Sequence, residues 1–537
     1  MTCSFIYLFF YGALSCYLYT ASTSFDYSII ADNFHSAFSR EATSIILHGL
    51  KIDPLIAVIL TCGLVYMARR TFFALKPTKY RHVKGIFFTG TYLSLMFIPF
   101  NNVFDEPATF LKSIVQYYRS DHTVHLPKGT YPFMKESIAY GTQNFRKSGE
   151  KPPHVFIILV ESFSASFINQ KSPEGFEYTP YFNSLTKQGL YVPRFYGNSI
   201  QTAKGHFATL FSVVPSFKGM VYTRYPHIEA RALPEILKDN GYETSFYQAH
   251  KNPDFDNTGM MMRKHGMMHL DALSHPKPED QAFMSEWGVE DQIFYKHVFE
   301  KWDENHLSNK PQCVVLATIY SHGNFEVPAH RRMHYKNPKN IVEHYANAIG
   351  LADAQFSTFF EELKKRPELK NSIIVITGDH SYPMHGGNAD RNEVGTYEDS
   401  FKTPFILLWP GHIAPVSQPE PASQLDIAPT LLDLVGIKKV SNHFQGQSLF
   451  KKRAMNRPIP LIQPYNGICI SVVTYPYKYM CRLKTGEEFI YNLETDQSED
   501  RNLVSQLESI KLKAFRAELK PILLSQQAII QNQLWHK

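Results

Sequence analysis

Nowhere in the 537 residues do two cysteines stand in a CxxC pair. The six cysteines are Cys3, Cys16, Cys62, Cys313, Cys469 and Cys481, and three of them lie in apolar N-terminal segments. Neither a thiolate metal site nor a disulfide-rich scaffold is indicated. Cys469 and Cys481 are spaced to face each other across a hairpin, but independent reduced thiols are the expectation. No long basic run with interleaved aromatics occurs, and a formal charge of +6 is mild for this length, which argues against nucleic acid as a partner. There is no internal repeat and no low-complexity segment. What is present is enough chain for more than one domain, with 44% hydrophobic residues to fill a large core.

The first hundred residues differ from the rest. Residues 3–20 (CSFIYLFFYGALSCYLYT) carry no charge, and residues 54–68 and 85–100 are similarly apolar. Each approaches the roughly 20 residues needed to cross a bilayer. The first lacks the basic n-region and small-residue cleavage site of a signal peptide. Residues 1–100 are therefore expected to form about three membrane helices, with room for a longer membrane region because apolar residues follow Met1 at once. The loop ARRTFFALKPTKYRHVKG between the second and third segments holds Arg69, Arg70, Lys76, Lys79, Arg81 and Lys84 and no acid. By the positive-inside rule it is cytoplasmic, which places everything after residue 100 outside the cytoplasm, at the cell (inner or plasma) membrane.

Residues 101–152 read as a polar connector. From 153 to 450, short β-rich runs (155–160, 243–247, 313–319, 373–377, 405–409) alternate with helical patterns (230–239, 343–365, 424–435). Such alternation predicts an α/β fold with a mostly parallel sheet flanked by helices. Residues 451–537 change again, to antiparallel strands with a hairpin turn at Thr485-Gly486 and a final amphipathic helix over about 505–530.

Chemistry-bearing residues concentrate where apolar strands end. HVFIILVE delivers Glu161, VVLATIYSH delivers His322, and SIIVITGDH delivers Asp379 and His380. Open α/β sheets build their sites beyond the carboxyl ends of their strands. A carboxylate there must be paired, hydrogen-bonded or metal-bound. Adjacent Asp and His suit Mn²⁺, Mg²⁺ or Zn²⁺. In NSIQTAKGHFATLF, Thr202 precedes a helix over 203–212; alone it reads as a cap. Beside a metal its hydroxyl becomes a nucleophile, and the helix N-terminus can hold a phosphate or sulfate. His322, in YSHGNFEVP, can bind substrate or protonate a leaving alkoxide.

These segments together resemble the lipoteichoic acid synthase branch of the alkaline phosphatase/sulfatase superfamily. The resemblance is carried by VESFSASFIN from Val160, the Thr202 segment, EWGVED at 286–291, YSHGNF at 320–325 and the helix at 345–363. It continues through TGDH at 377–380, TPFILLWPG at 403–411, SQLDIAPTLLDLVG at 423–436, FQGQSLF at 444–450 and IYNLETDQSEDRNLV at 490–504. It implies that Glu161, Thr202, Asp379 and His380 bind one divalent ion, commonly manganese, that Thr202 forms a phospho-threonine intermediate, and that His322 lies on the substrate side. The implied enzyme is membrane-anchored and extracytoplasmic. It would move a phosphoglycerol-like group from a membrane phospholipid to a glycan or glycolipid acceptor.

Two departures bear on the substrate. The Cys/Ser of sulfatases is replaced by Thr202-Ala203-Lys204-Gly205, which disfavours sulfate-ester hydrolysis. Where the branch carries an aromatic residue and an arginine beside the headgroup, NPDFDNTGMMMRKHG places Asp256 and Thr258, with Arg263 or Lys264 one turn away. Phosphoethanolamine transfer, with His385 toward a second metal, and hydrolysis by a phosphodiesterase or sulfatase are the alternative readings.

Overall fold

In the computed structural model, the described residues are 134–531 apart from 147, 274–275, 286, 306–309, 324, 383–395, 465–467 and 484, together with Leu111 and Ile114. The three apolar segments expected to cross a membrane lie outside the described residues, as does His385. Among the described residues no helix is long and apolar enough to cross a membrane.

In chain order the strands are β1 (His154–Val160), β2 (Leu190–Tyr191), β3 (Phe195–Tyr196), β4 (Glu243–Gln248), β5 (His269–Ala272), β6 (Gln312–Ala317) and β7 (Ser372–Gly378). They continue with β8 (Phe405–Leu408), β9 (Val416–Ser417), β10 (Ala422–Ser423), β11 (Ile459–Gln463), β12 (Cys469–Thr474), β13 (Tyr477–Arg482) and β14 (Glu488–Asn492). The principal helices are α1 (Thr202–Phe211), α2 (Leu233–Asp239), α3 (Thr258–Lys264), α4 (Asp291–Asn305), α5 (Ile341–Lys364), α6 (Ile427–Val435), α7 (Ser509–Glu518) and α8 (Lys520–Gln531).

An eight-stranded sheet in the order β5-β4-β6-β1-β7-β8-β2-β9 forms the centre. Its inner strands β4, β6, β1 and β7 run parallel, while β8 is antiparallel to both β7 and β2. The β1 run is apolar at every position because both faces of the sheet are covered. Val155, Ile157 and Leu159 enter the core shared with α1, α2 and α6, whereas Phe156, Ile158 and Val160 enter the one shared with α4 and α5. The strand period of two thus feeds two separate cores from one continuous run. Helix α5 begins at Asn340, whose side chain accepts from the Glu343 amide at 3.0 Å, and buries Tyr345, Ile349, Ala352, Phe356 and Phe359 on one stripe.

β11 to β14 form a second, antiparallel sheet. Gly486 makes the β13–β14 turn with φ +73°, a backbone conformation that glycine adopts without a Cβ penalty. On the neighbouring hairpin, Cys469 pairs with Arg482 and Cys481 with Ile470, so the two thiols are offset by one residue and point to opposite faces; both are free. The expected C-terminal helix is two helices, α7 and α8, parted at Leu519–Lys520. Pro521 supplies the reason: it has no N–H to continue the helix and its ring clashes with the preceding turn.

Candidate active site

The parallel register sets the site. β1 and β7 pair with Val160 opposite Gly378, so the next residues, Glu161 and Asp379, emerge side by side. β6 lies on the other flank of β1, with Leu159 opposite Ala317, and the chain leaves it through Thr318 toward His322. The Glu161 amide donates to Thr318 Oγ1 at 3.0 Å, and Ser321 Oγ donates to the Glu161 carbonyl at 2.6 Å, which locks this exit. Ser162 turns the chain with φ +51°. Its amide donates to Asp379 Oδ1 at 2.9 Å and its hydroxyl to Glu161 Oε1 at 2.7 Å, so one residue orients both carboxylates. The His380 amide also donates to Asp379 Oδ1, at 2.6 Å.

Helix α1 delivers Thr202 as its first residue, after an extended Gln201. Thr202 Oγ1 lies 3.4 Å from Glu161 Oε2 and 3.4 Å from His380 Nε2. The approach is permitted by Gly205, one turn on, where a Cβ would fall on the Asp379 carbonyl oxygen. Gln424 closes the arrangement, its Nε2 donating to the carbonyls of Gly378 at 3.0 Å and Asp379 at 2.6 Å. Lys204 is fully buried, and its ammonium donates to Ser216 O, Ser216 Oγ and Gly219 O at 2.6, 3.1 and 2.6 Å, pinning the segment after α1.

Glu161, Asp379 and His380 are buried together, with one ligating atom from each lying within 4.8 Å of the others. Burial lifts the Glu161 carboxyl, but the facing His322 and His380 overcome it and hold it below the usual carboxylate range. Asp379 goes the other way, pushed up by burial and by the neighbouring Glu161 charge. His380 is lowered by burial and raised more strongly by both carboxylates, for a net upward shift. The donor set at the site fits a divalent cation: two hard carboxylates, a hydroxyl, and an imidazole whose Nδ1 is committed to the Ser381 carbonyl at 2.7 Å, leaving Nε2 directed inward.

The remaining expected residues line one side. His322 packs its ring on Trp287 with centroids 4.0 Å apart, and its Nδ1 is shielded from solvent without a hydrogen-bond partner. Burial lowers the pKa of this imidazole, and the neighbouring Glu161 charge acts against that shift. Asp256 sits at φ +52°, and burial followed by the Glu161 charge raises its carboxyl to about 7. Thr258 is buried at the start of α3. Arg263 is engaged by Asp254 at 2.6 Å, and Lys264 donates to the carbonyls of Pro226 and Ile228, so neither cation turns toward Asp256. Ser162, Gln424, Trp287 and His206 were not singled out from sequence. His206 lies four residues after Thr202 on α1, the spacing that shares a helix face; burial lowers its imidazole to about 4, and its Nδ1 has no partner. Trp287 belongs to the EWGVED segment, which carried the only sequence signal for it.

Residues 153–437 match the sulfatase family model. The chain is 28% identical over 345 residues to lipoteichoic acid synthase of Staphylococcus saprophyticus, covering 62% of this chain and 51% of that protein. It is 25% identical over 307 residues to the lipoteichoic acid synthase-like YvgJ of Bacillus subtilis, covering 54% and 48%. The chain therefore spans about half the length of the curated relatives it matches. Its fold is similar to that of an alkaline phosphatase superfamily protein from Vibrio parahaemolyticus (TM-score 0.63, 20% identity, 78% of this chain and 95% of that one). It is similar also to the lipoteichoic acid synthase LtaP from Listeria monocytogenes (TM-score 0.61, 20% identity, 73% and 96%). The chain belongs to the sulfatase family. Beyond that family, its sequence is similar to lipoteichoic acid synthases and its fold to an alkaline phosphatase superfamily protein.

Proposed function

We propose that the protein is a membrane-anchored, extracytoplasmic transferase that moves a phosphoalcohol group from a membrane phospholipid to a glycan or glycolipid hydroxyl through a phosphorylated Thr202. The observation that carries this is the placement of Thr202 Oγ1 at 3.4 Å from both a buried carboxylate and an inward-facing imidazole. A threonine serving only as a cap would sit one residue earlier and bond its own helix. Glu161, Asp379, His380 and Thr202 would hold one divalent ion, manganese first with magnesium or zinc as alternatives. An ion held there would lower the pKa of the hydroxyl and offset phosphoryl charge.

In the first half-reaction Thr202 Oγ1 attacks phosphorus, its proton leaving toward the Glu161 Oε2 that already lies beside it. The Thr202 O–P bond forms, the bond from phosphorus to the diacylglycerol oxygen breaks, and that oxygen leaves with the proton that Thr202 gave up. The acceptor hydroxyl then attacks the same phosphorus and frees Thr202. At the start of α1 the Lys204 and Gly205 amides bond the Gln201 carbonyl, which leaves those of Thr202 and Ala203 to meet the phosphoryl oxygens. His322, whose Nδ1 is buried without a hydrogen-bond partner, would offer a ring N–H to the same oxygens. Such a reaction needs positioning and charge neutralisation more than elaborate chemistry. The apolar N-terminal segments and their basic loop support anchoring next to the lipid donor.

The test supplies labelled phospholipid vesicles and Mn²⁺ to the full chain and reads the mass of the Thr202 peptide. A phosphoalcohol adduct that Thr202→Ala abolishes is expected. Turnover with no adduct, undiminished in Thr202→Ala, would overturn the proposal.

A further inference from the structure

From His322, which faces Glu161, a run of aromatic rings leads away from the site and ends at Phe255, next to the acidic Asp256. Trp287 covers His322 at 4.0 Å, Phe255 meets the Trp287 ring edge-on at 6.4 Å, and His250 stacks on Phe255 at 4.1 Å. The next residue, Asp256, turns back in the left-handed region, a conformation costly for a residue with a side chain. It is held there from both sides: the Asp256 carbonyl accepts from Thr223 Oγ1 at 3.3 Å, and Asn257 Nδ2 donates to the Tyr222 carbonyl at 2.8 Å. Its carboxyl has no hydrogen-bond or ion-pair partner among the described residues, although it is half-buried and feels the charge of Glu161. The two cations of the adjoining helix are spent on Asp254 and on backbone carbonyls. A half-buried carboxylate with no cation partner among the described residues, next in sequence to Phe255 of this aromatic run, is a site whose missing component is a small cation carried by the ligand.

We infer that this acid and these rings select the donor by its headgroup, an alcohol bearing a primary ammonium, with Asp256 accepting from the ammonium and Trp287 and Phe255 flanking it. The inference rests on the phospho-threonine reading, since the headgroup is seated only if its phosphorus is at Thr202. A polyol headgroup would meet the same carboxylate but gain nothing from the aromatic faces. The assignment also accounts for the absence of a free arginine at this position: a fixed guanidinium there would neutralise Asp256 and repel an ammonium.

The full chain with Mn²⁺ is given vesicles holding equal amounts of phosphatidylethanolamine and phosphatidylglycerol, and the two Thr202 adducts are separated by mass. The nitrogen-containing adduct is expected in about tenfold excess, the ratio one charge-assisted contact supplies. Asp256→Asn and Trp287→Leu should each collapse that ratio about tenfold through KM for the ammonium lipid, while both variants keep the Mn²⁺-dependent rise in Tm that reports an intact fold. Asp256→Glu should restore part of the preference. An excess of the glycerol adduct overturns the inference and leaves the phospho-threonine reading standing. So does an equal fall of both adducts in Asp256→Asn, which would mark a structural role. No adduct from either lipid overturns both.

Discussion

At the residue scale, Glu161 and Asp379 are two buried carboxyls whose amide and hydroxyl donors come from the same serine. Burial and the Glu161 charge both oppose ionisation of Asp379. Asp379→Asn should therefore raise the Tm of the chelator-treated protein, by removing a buried like-charge pair, and at the same time erase the stabilisation gained on adding Mn²⁺. A pair of melting curves with and without metal reads both effects; an Asn variant that still gains stability from the ion would show that Asp379 is no ligand. Away from the site, Asp353 is buried under the short helix Pro180–Leu185 and accepts from the amides of Tyr181 and Phe182 at 2.9 and 2.7 Å. Burial outweighs these bonds and raises its carboxyl from 3.8 to about 7. For a raised acid, the stabilisation is complete below the unfolded pKa and is lost as pH climbs through the folded one. The window runs from pH 3.8 to about 7, and a shift of this size corresponds to about 4 kcal/mol at most. Asp353→Asn should flatten that part of the stability profile, so that its Tm relative to the unmodified protein is higher at pH 8 than at pH 5.

At the element scale, the site depends on how closely α1 approaches the end of β7. Gly205 permits that approach, because any Cβ there meets the Asp379 carbonyl, which Gln424 also holds. Gly205→Ala should cost about 1–3 kcal/mol from overpacking. Displacing Thr202 by a fraction of an ångström to an ångström should lower turnover on the order of 10²-fold. Unfolding by denaturant and single-turnover transfer measure the two separately, and wild-type turnover in the Ala variant would contradict the close-packing account. The elements themselves were largely legible in the sequence. The apolar runs at 155–160, 313–319 and 373–377 became β1, β6 and β7 because both of their faces are covered. The C-terminal helix was less legible: amphipathic periodicity continues across Pro521, and the backbone break there outweighs it.

At the scale of the whole described fold, a buried ion pair at the antiparallel sheet β11 to β14 holds the segment that precedes β8. Lys478 on β13 bonds Glu499 at 2.6 Å and also the Thr396 carbonyl, with both side chains almost fully buried. Glu499 accepts from the Glu398 amide, and Tyr196 on β3 donates to Glu398 at 2.5 Å. Lys478→Met leaves Glu499 buried without its cation and should cost about 3–5 kcal/mol, whereas Lys478→Met with Glu499→Leu should recover most of that. Chemical denaturation of the unmodified protein and the two variants checks it: a double variant as unstable as the single one would mean that the pair holds this junction by more than charge compensation.

What the sequence determined by itself was the set of strands, their order of hard ligands, and the superfamily, because these rest on local periodicity and on short motifs read along the chain. Glu161, Thr202, Asp379 and His380 could be named from the ends of strands and the start of a helix. Tertiary structure alone decided their distances, through the register of β1 on β7 and the glycine that lets α1 approach. It also decided which neighbours surround them. Trp287 and Gln424 fall inside segments 286–291 and 423–436, and His206 shares a helix face with Thr202, but only contacts with distant segments give these side chains their places. The same holds for the charge around Asp256: Arg263 and Lys264 are near it in sequence, but the fold gives them other partners and leaves its carboxylate free.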